Sequence, residues 1–251
     1  MLGGRVTWEA ALPGKVAVIT GASRGLGAGL ARVFASRGLG LGLCSRTPPA
    51  LGDAPRVVAQ QVDVADAAAV DRFCAEVAAR LGPIDLWINN AALLDPMGPL
   101  RGVDPAEAER SLAVSVLGVL HGTQAFARHV RTTGRTGVLV NISSGAARTA
   151  YAGWGIYCAS KAAVERLTEV VALEEPALRC LAVSPGVIDT DMQARIRRAT
   201  PEEFPQVEKF RQMKADDAFN TPEHVAAHLL GLAFDPARKG EPLIYRLPPE
   251  R

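Results

Sequence analysis

Tyr157 and Lys161 stand four residues apart in Tyr157-Cys158-Ala159-Ser160-Lys161, and Ser144 lies thirteen residues before the tyrosine, in Val140-Asn141-Ile142-Ser143-Ser144-Gly145. On a helix, positions i and i+4 share a face, so the Lys161 ammonium can sit beside the Tyr157 phenol. A free tyrosine titrates at about 10, and a neighbouring cation favours the phenolate and lowers that value. The pair therefore reads as a general acid that gives its phenolic proton to a substrate oxygen. A serine hydroxyl at a nearby strand end can hold a carbonyl oxygen while the phenol protonates it. Tyr-x-x-x-Lys is also an ordinary helix-surface pair, so the rest of the chain has to decide.

Such a trio works only if strands and helices bring it together. Short β-rich runs alternate with longer helical patterns from Lys15 onward, the signature of βαβ units and a parallel sheet covered on both faces. Strands are predicted at about 15–20, 39–45, 56–62, 84–88, 136–142, 179–184 and 242–246, with helices near 25–37, 66–81, 105–131, 153–175 and 221–234. The expected fold class is a single doubly wound α/β domain over 1–251, with a central, mostly parallel sheet of about seven strands flanked by helices. The stretch 187–220 breaks the alternation with Arg195, Arg197, Arg198, Glu202 and Glu203 and reads as a lid over a ligand crevice.

Directly after the first strand comes Thr20-Gly21-Ala22-Ser23-Arg24-Gly25-Leu26-Gly27, a G-x-x-x-G-x-G relative of the dinucleotide fingerprint. Glycines at a strand-to-helix turn let the backbone approach a pyrophosphate, whose charge meets helix N-terminal amides and the macrodipole. Gly21, Ser23, Arg24, Gly25, Leu26 and Gly27 are therefore the first cofactor contacts expected. The second strand ends in Leu43-Cys44-Ser45-Arg46, without the carboxylate that binds a ribose 2′-hydroxyl in NAD-specific sites. Arg46 and Arg24 suit a 2′-phosphate instead, and the expected cofactor is NADP(H). Asp63, followed by Val64, ends the third strand and is a candidate for the adenine amino group, with helix capping as its plainer role. Asn89-Asn90-Ala91-Ala92 ends the fourth with small residues, and Asn90 and Ala91 are taken as ribose contacts.

These residues resemble the short-chain dehydrogenase/reductase family over nearly the whole chain, adding Ser184-Pro185-Gly186 and Val187-Ile188-Asp189-Thr190 to the motifs above. The resemblance implies Tyr157 as acid–base residue and Ser144 as the group orienting the substrate oxygen. It implies that Lys161 binds the nicotinamide ribose and lowers the tyrosine pKa, and that Pro185, Gly186, Ile188 and Thr190 flank the nicotinamide. Tyr151-Ala152-Gly153-Trp154, Ala172-to-Pro176 and Asp189-to-Gln193 are similar to the sepiapterin reductase and benzil reductase branch. On that resemblance Trp154, Met192, Gln193 and Gly186 line the substrate pocket with Ser144 and Tyr157. Val187, Ile188, Met192 and Ile196 form its lid wall, and Leu93, Leu94 and Met97 the opposite one.

Two departures stand out. Ser115 occupies the position of a family asparagine whose carbonyl serves a proton relay, which puts the local helix kink in question. Leu243-Ile244-Tyr245-Arg246 offers no acid where pterin reductases are expected to anchor their substrate, so a small ketone or diketone is favoured over a pterin. A cofactor-binding sensor without chemistry is the rival from another class.

Composition fits an enzyme of this kind. Hydrophobic residues make up 48% and charged residues 22%, and 28 Lys+Arg against 26 Asp+Glu leave +2, which favours neither a nucleic-acid partner nor an anionic membrane surface. No run approaches the roughly 18 apolar residues of a membrane span, and Met1–Ala11 has no long apolar core, so a cytoplasmic location is expected. Cys44, Cys74, Cys158 and Cys180 show no metal-ligand spacing and read as free thiols; no metal is expected. Helices apolar on more than one side, as at Val114, Val116, Leu117, Val119 and Leu120, combine with the family resemblance to suggest a homodimer or homotetramer.

Overall fold

The computed structural model describes residues 8–51 and 54–250. The apolar run Val16-Ala17-Val18-Ile19 makes β1 (Val16–Thr20) buried at every position and places it inside the sheet. It pairs in parallel with β2 (Gly40–Ser45) on one side and β4 (Leu86–Asn89) on the other. With β3 (Val57–Gln61), β5 (Gly137–Ile142), β6 (Leu178–Ser184) and β7 (Ile244–Arg246), the seven strands run in the order β3-β2-β1-β4-β5-β6-β7. Every pairing is parallel.

Because side chains alternate across a strand, β1 feeds two cores. Ala17 and Ile19 meet Leu30 and Phe34 of α1 (Gly25–Ser36) and Leu229 and Leu230 of α8 (Pro222–Phe234). Val16 and Val18 share the opposite core with Phe73 and Val77 of α2 (Ala67–Leu81) and with Phe126 of α4 (Gly118–Thr133). Both faces are therefore covered, which is why the strands read as continuous apolar runs. The order reverses between β1 and β4, and the crevice beyond the carboxyl ends of these strands is where open α/β sheets take ligands.

The helical stretch expected at 105–131 is interrupted. Asp104 caps α3 (Pro105–Leu112) by accepting the Ala106 N–H at 2.7 Å, a π-helical turn spans Ala113–Leu117, and α4 follows. A π turn inserts one extra residue and re-aims the backbone. After α4 ends at Gly134 in left-handed geometry (φ 64°), β5 leads to α5 (Gly155–Glu174). The 187–220 stretch carries two more helices, α6 (Asp191–Arg197) and α7 (Val207–Ala215). They pack on a third apolar cluster described below.

All four cysteines are free. Burial pushes the Cys44, Cys74 and Cys180 thiols up to about 12, which leaves them unreactive at neutral pH. Among the described residues, no group of His, Cys, Asp and Glu could hold a metal ion, and no helix is long and apolar enough to cross a membrane.

Candidate active site

β5 ends in Ile142, and the chain continues through Ser143 and Ser144 along the face of α5. Lys161 is almost fully buried, and its Nζ donates to the Ile142 carbonyl at 2.7 Å. One turn earlier on the same face lies Tyr157, with Lys161 Nζ 5.8 Å from its ring centroid. Ser144 caps a short 3-10 turn (Gly145–Ala147) by accepting the Ala146 N–H at 3.2 Å, and it lies near enough to the Tyr157 phenol to lower its pKa. The three residues picked out by spacing are thus brought together.

The electrostatics differ from expectation. Tyr157 has its pKa raised, chiefly by burial, against which the neighbouring Ser144 hydroxyl pulls it down; Cys158 adds a smaller upward push. Lys161 does not pull the phenol below its ordinary value as expected, because desolvation outweighs a cation whose own pKa burial depresses to about 8. At neutral pH the phenol therefore holds its proton and Lys161 its charge. A protonated phenol is the form that can donate.

The tyrosine sits at the edge of an aromatic cluster. Trp154 stacks on Phe204, with ring centroids 4.3 Å apart and planes 5° from parallel, and meets Tyr157 edge-on at 5.6 Å. Tyr151 and Phe210 close around Trp154 at 5.0 and 5.3 Å. Phe204 and Phe210 come from the segment carrying α6 and α7, as do Ile196 and Met192. Gly153 permits this docking: its φ is +87°, and a Cβ there would stand 2.1 Å from the Glu203 carbonyl. The ion pair Arg195–Asp95 (3.2 Å) ties the same segment to the loop after β4, whereas Arg197–Asp189 (2.9 Å) is internal to it.

Leu94 and Met97 line this cluster as expected, but Leu93 packs in the α2/α4 core and Ile188 in the α1/α8 core, so neither is a wall of it. Gln193 is buried with Oε1 lacking a partner, as is Trp154 Nε1. Tyr151, Phe204 and Phe210 were missed by sequence reading. The signal available was scarcity: only 5% of the chain is aromatic, yet five of those residues meet here, counting Trp154 and Tyr157.

On the other side of the crevice, Gly21 (φ 67°) and Gly25 (φ 56°) adopt backbone that favours glycine, and a Cβ on Gly27 would lie 2.3 Å from the Gly21 carbonyl. Asn90 fixes this loop: its Nδ2 donates to the Thr20 carbonyl at 2.9 Å and its N–H to Thr20 Oγ1 at 3.0 Å, while the Ala91 N–H reaches the same hydroxyl. Arg24, at the N-cap of α1, supplies no capping side chain, so the first-turn amides are left to a ligand. That loop and uncapped helix end fit a pyrophosphate. Thr190 touches the loop as well, its Cγ2 lying 3.3 Å from where a Gly25 Cβ would be.

Other cofactor candidates are placed less uniformly. Arg46 is exposed at the end of β2, whereas Arg24 leans across the crevice mouth to Asp191 at 3.6 Å. Ser23 is half-buried, Leu26 buried, and Ser45 is engaged with the Thr47 carbonyl. Asp63 is exposed and accepts the Ala65 N–H at 3.0 Å; Asp66, not Asp63, caps α2. Val64 is buried, its carbonyl 2.8 Å from His121 Nδ1. Pro185 is buried and its carbonyl accepts from Asn220 Nδ2 at 2.8 Å beside Gly186, whose φ is +82°. Ser115, fully buried in the π turn, accepts the Leu93 N–H at 3.0 Å, so the helix distortion survives without the family asparagine.

A doubly wound parallel sheet with a glycine loop after β1 and a Ser/Tyr/Lys cluster beyond β5 defines a dinucleotide-type oxidoreductase scaffold. The family model for short chain dehydrogenase matches residues 15–201, and the chain belongs to the short-chain dehydrogenase/reductase family. It is 36% identical to a sorbitol dehydrogenase of Cereibacter sphaeroides over 215 residues, 81% of this chain and 83% of that one. It is 34% identical to sepiapterin reductase of Mus musculus over 237 residues (86% and 90%) and 29% identical to a benzil reductase ((S)-benzoin forming) of Bacillus subtilis over 226 residues (86% and 91%). The crystal structure of the KRED1-Pglu enzyme superposes with a TM-score of 0.84 at 28% identity, over 92% of this chain and 99% of that one.

Proposed function

We propose that this chain is an NADPH-dependent reductase of small ketones or diketones, with Tyr157 as the proton donor. The observation that carries the reading is the convergence of Ser144, Tyr157 and Lys161 at the edge of a packed aromatic cluster, with a phenol whose raised pKa keeps it protonated. The bound nicotinamide cofactor supplies the hydride for the carbonyl carbon. Ser144 Oγ holds and polarises the substrate oxygen, and Tyr157 Oη gives it a proton. Lys161 keeps a positive charge beside the ring, which stabilises the phenolate left behind. The glycine loop and the first turn of α1 hold the pyrophosphate, Asn90 and Ala91 support the ribose side, and Arg46 with Arg24 meets a 2′-phosphate. The 187–220 segment is the substrate cover, and its aromatic contacts exclude water from the reacting carbonyl.

An aromatic cluster packed directly against Tyr157 favours aryl ketones and vicinal diketones over polyols. The C-terminal acid Glu250 is committed to Thr221, accepting from its Oγ1 at 3.0 Å, so it is not free to anchor a pterin. The test is NADPH oxidation against benzil, a phenyl-diketone, diacetyl and sepiapterin, with Tyr157→Phe as control. Turnover of the diketones that vanishes in the variant is expected. NADPH binding without turnover of any of these would favour the sensor reading.

A homodimer or homotetramer in the cytoplasm belongs to the same proposal. Leu112, Leu117, Val170 and Leu173 are exposed on helices that pack together, Leu173 at 86%, and offer apolar surface to a second copy. A monomeric mass in solution scattering at micromolar concentration would remove it.

A further inference from the structure

One helix grips the strand end that carries Ser144 residue by residue. Asn141 Nδ2 donates to Thr168 Oγ1 at 2.9 Å, Lys161 Nζ donates to the Ile142 carbonyl at 2.7 Å, and Ser143 Oγ donates to Glu165 Oε1 at 2.9 Å. Tyr157 then meets Ser144. Glu165 differs from the other three because its second oxygen reaches onward and accepts from Arg148 Nε at 3.0 Å. Its carboxylate side chain is only 12% exposed, whereas Arg148 is 66% exposed.

The carboxylate therefore bridges the two ends of 143–148, the segment whose 3-10 turn is capped by Ser144. Gly145 itself packs against nothing on its side-chain side, where an added Cβ would meet no atom within 4 Å. We propose that Glu165 is a positioning residue: by tying Ser143 to Arg148 it fixes the backbone from which Ser144 Oγ projects, and so sets where a substrate carbonyl is held against Tyr157. The proposal rests on the reductase reading above. Hydrogen bonds to an ionised acceptor are the stronger kind, and a displacement of about 1 Å at a reacting group can cost about a hundredfold in rate. A mainly exposed Arg148 contributes little to stability by itself. The bridge matters through geometry.

The test combines Glu165→Ala, Glu165→Gln, Ser144→Ala and the double variant Glu165→Ala/Ser144→Ala. Glu165→Ala is expected to lower kcat per folded molecule about tenfold or more, with the KM for NADPH within about twofold. Glu165→Gln keeps an acceptor for Ser143 and is expected to restore most of the loss. In the Ser144→Ala background, removing Glu165 is expected to cost less than about twofold, since the hydroxyl it positions is gone. An unchanged kcat in Glu165→Ala, or fully additive losses in the double variant, overturns the proposal.

A second readout needs no substrate. The phenol of Tyr157 is titrated by near-ultraviolet absorbance, with Tyr157→Phe assigning its signal. Glu165→Ala and Ser144→Ala are each expected to move the titration upward, without adding. A titration that Glu165→Ala leaves in place overturns the proposal even if no ketone is ever reduced. Failure of the wild-type protein to turn over any carbonyl counts against the reductase reading alone.

Discussion

Ser115 Oγ accepts the Leu93 backbone N–H at 3.0 Å from within a π-helical turn between α3 and α4. A short hydroxyl thereby links the chain after β4 to the helix, at a residue with no exposed surface. Ser115→Ala leaves a half-buried N–H without an acceptor and is expected to cost about 1–3 kcal/mol. Urea unfolding measures it: the midpoint should fall with an unchanged slope, and a loss under about 0.5 kcal/mol would mean another group takes the N–H.

The stack of Trp154 on Phe204 is the main apolar anchor of the 187–220 segment. Phe204 is fully buried, so Phe204→Ala is expected to cost about 3–5 kcal/mol. Limited proteolysis should then cut between α6 and α7 earlier than in the wild type. Protection equal to the wild type would show that the remaining contacts, among them the Arg195–Asp95 ion pair, suffice to seat the segment.

Lys161 binds its proton less tightly in the fold, about 8 against an ordinary 10.5. Between those values the unfolded chain holds more protons, so the lysine's penalty is complete below about pH 8 and is relieved as pH rises. The unfolding free energy of the wild type relative to Lys161→Met is expected to rise through that window by at most about 1.4 kcal/mol per pH unit. On the reductase reading, turnover should decline over the same rise as the charge beside Tyr157 is lost. A flat stability difference from neutral pH to pH 10 would refute the depressed value.

Arg24 faces Asp191 at 3.6 Å with both side chains largely exposed. Such a pair adds little stability. Asp191→Asn should release Arg24 for a 2′-phosphate, tightening NADPH binding a few-fold with no change in melting temperature. Arg46→Asp should weaken NADPH by about tenfold or more relative to NADH, the worth of one charge-assisted hydrogen bond. Binding of both cofactors by fluorescence titration decides it, and an unchanged NADPH affinity in Arg46→Asp would end the assignment.

The sheet was legible because periodicity reports burial directly. Val16-Ala17-Val18-Ile19 reads as a strand covered on both faces, and the sheet indeed holds β1 between β2 and β4. About seven strands, mostly parallel, were expected, and the described residues form a sheet of seven, all parallel. The break at Ala113–Leu117 was not legible in the apolar periodicity, since a single inserted residue within a stretch apolar on several sides leaves no clear phase shift; only the family resemblance at Ser115 pointed to a kink there.

By itself, the sequence determined the fold class, the glycine loop and the trio Ser144, Tyr157 and Lys161, because strand and helix periods, turn chemistry and i, i+4 spacing are local properties. Only the tertiary structure decided that burial outweighs the cation at Tyr157, that Arg24 turns toward Asp191, that Phe204 closes on Trp154, and that Glu165 bridges Ser143 and Arg148. Each of these depends on which distant segments share a volume and how much water they exclude, and the spacing of residues along the chain contains neither quantity.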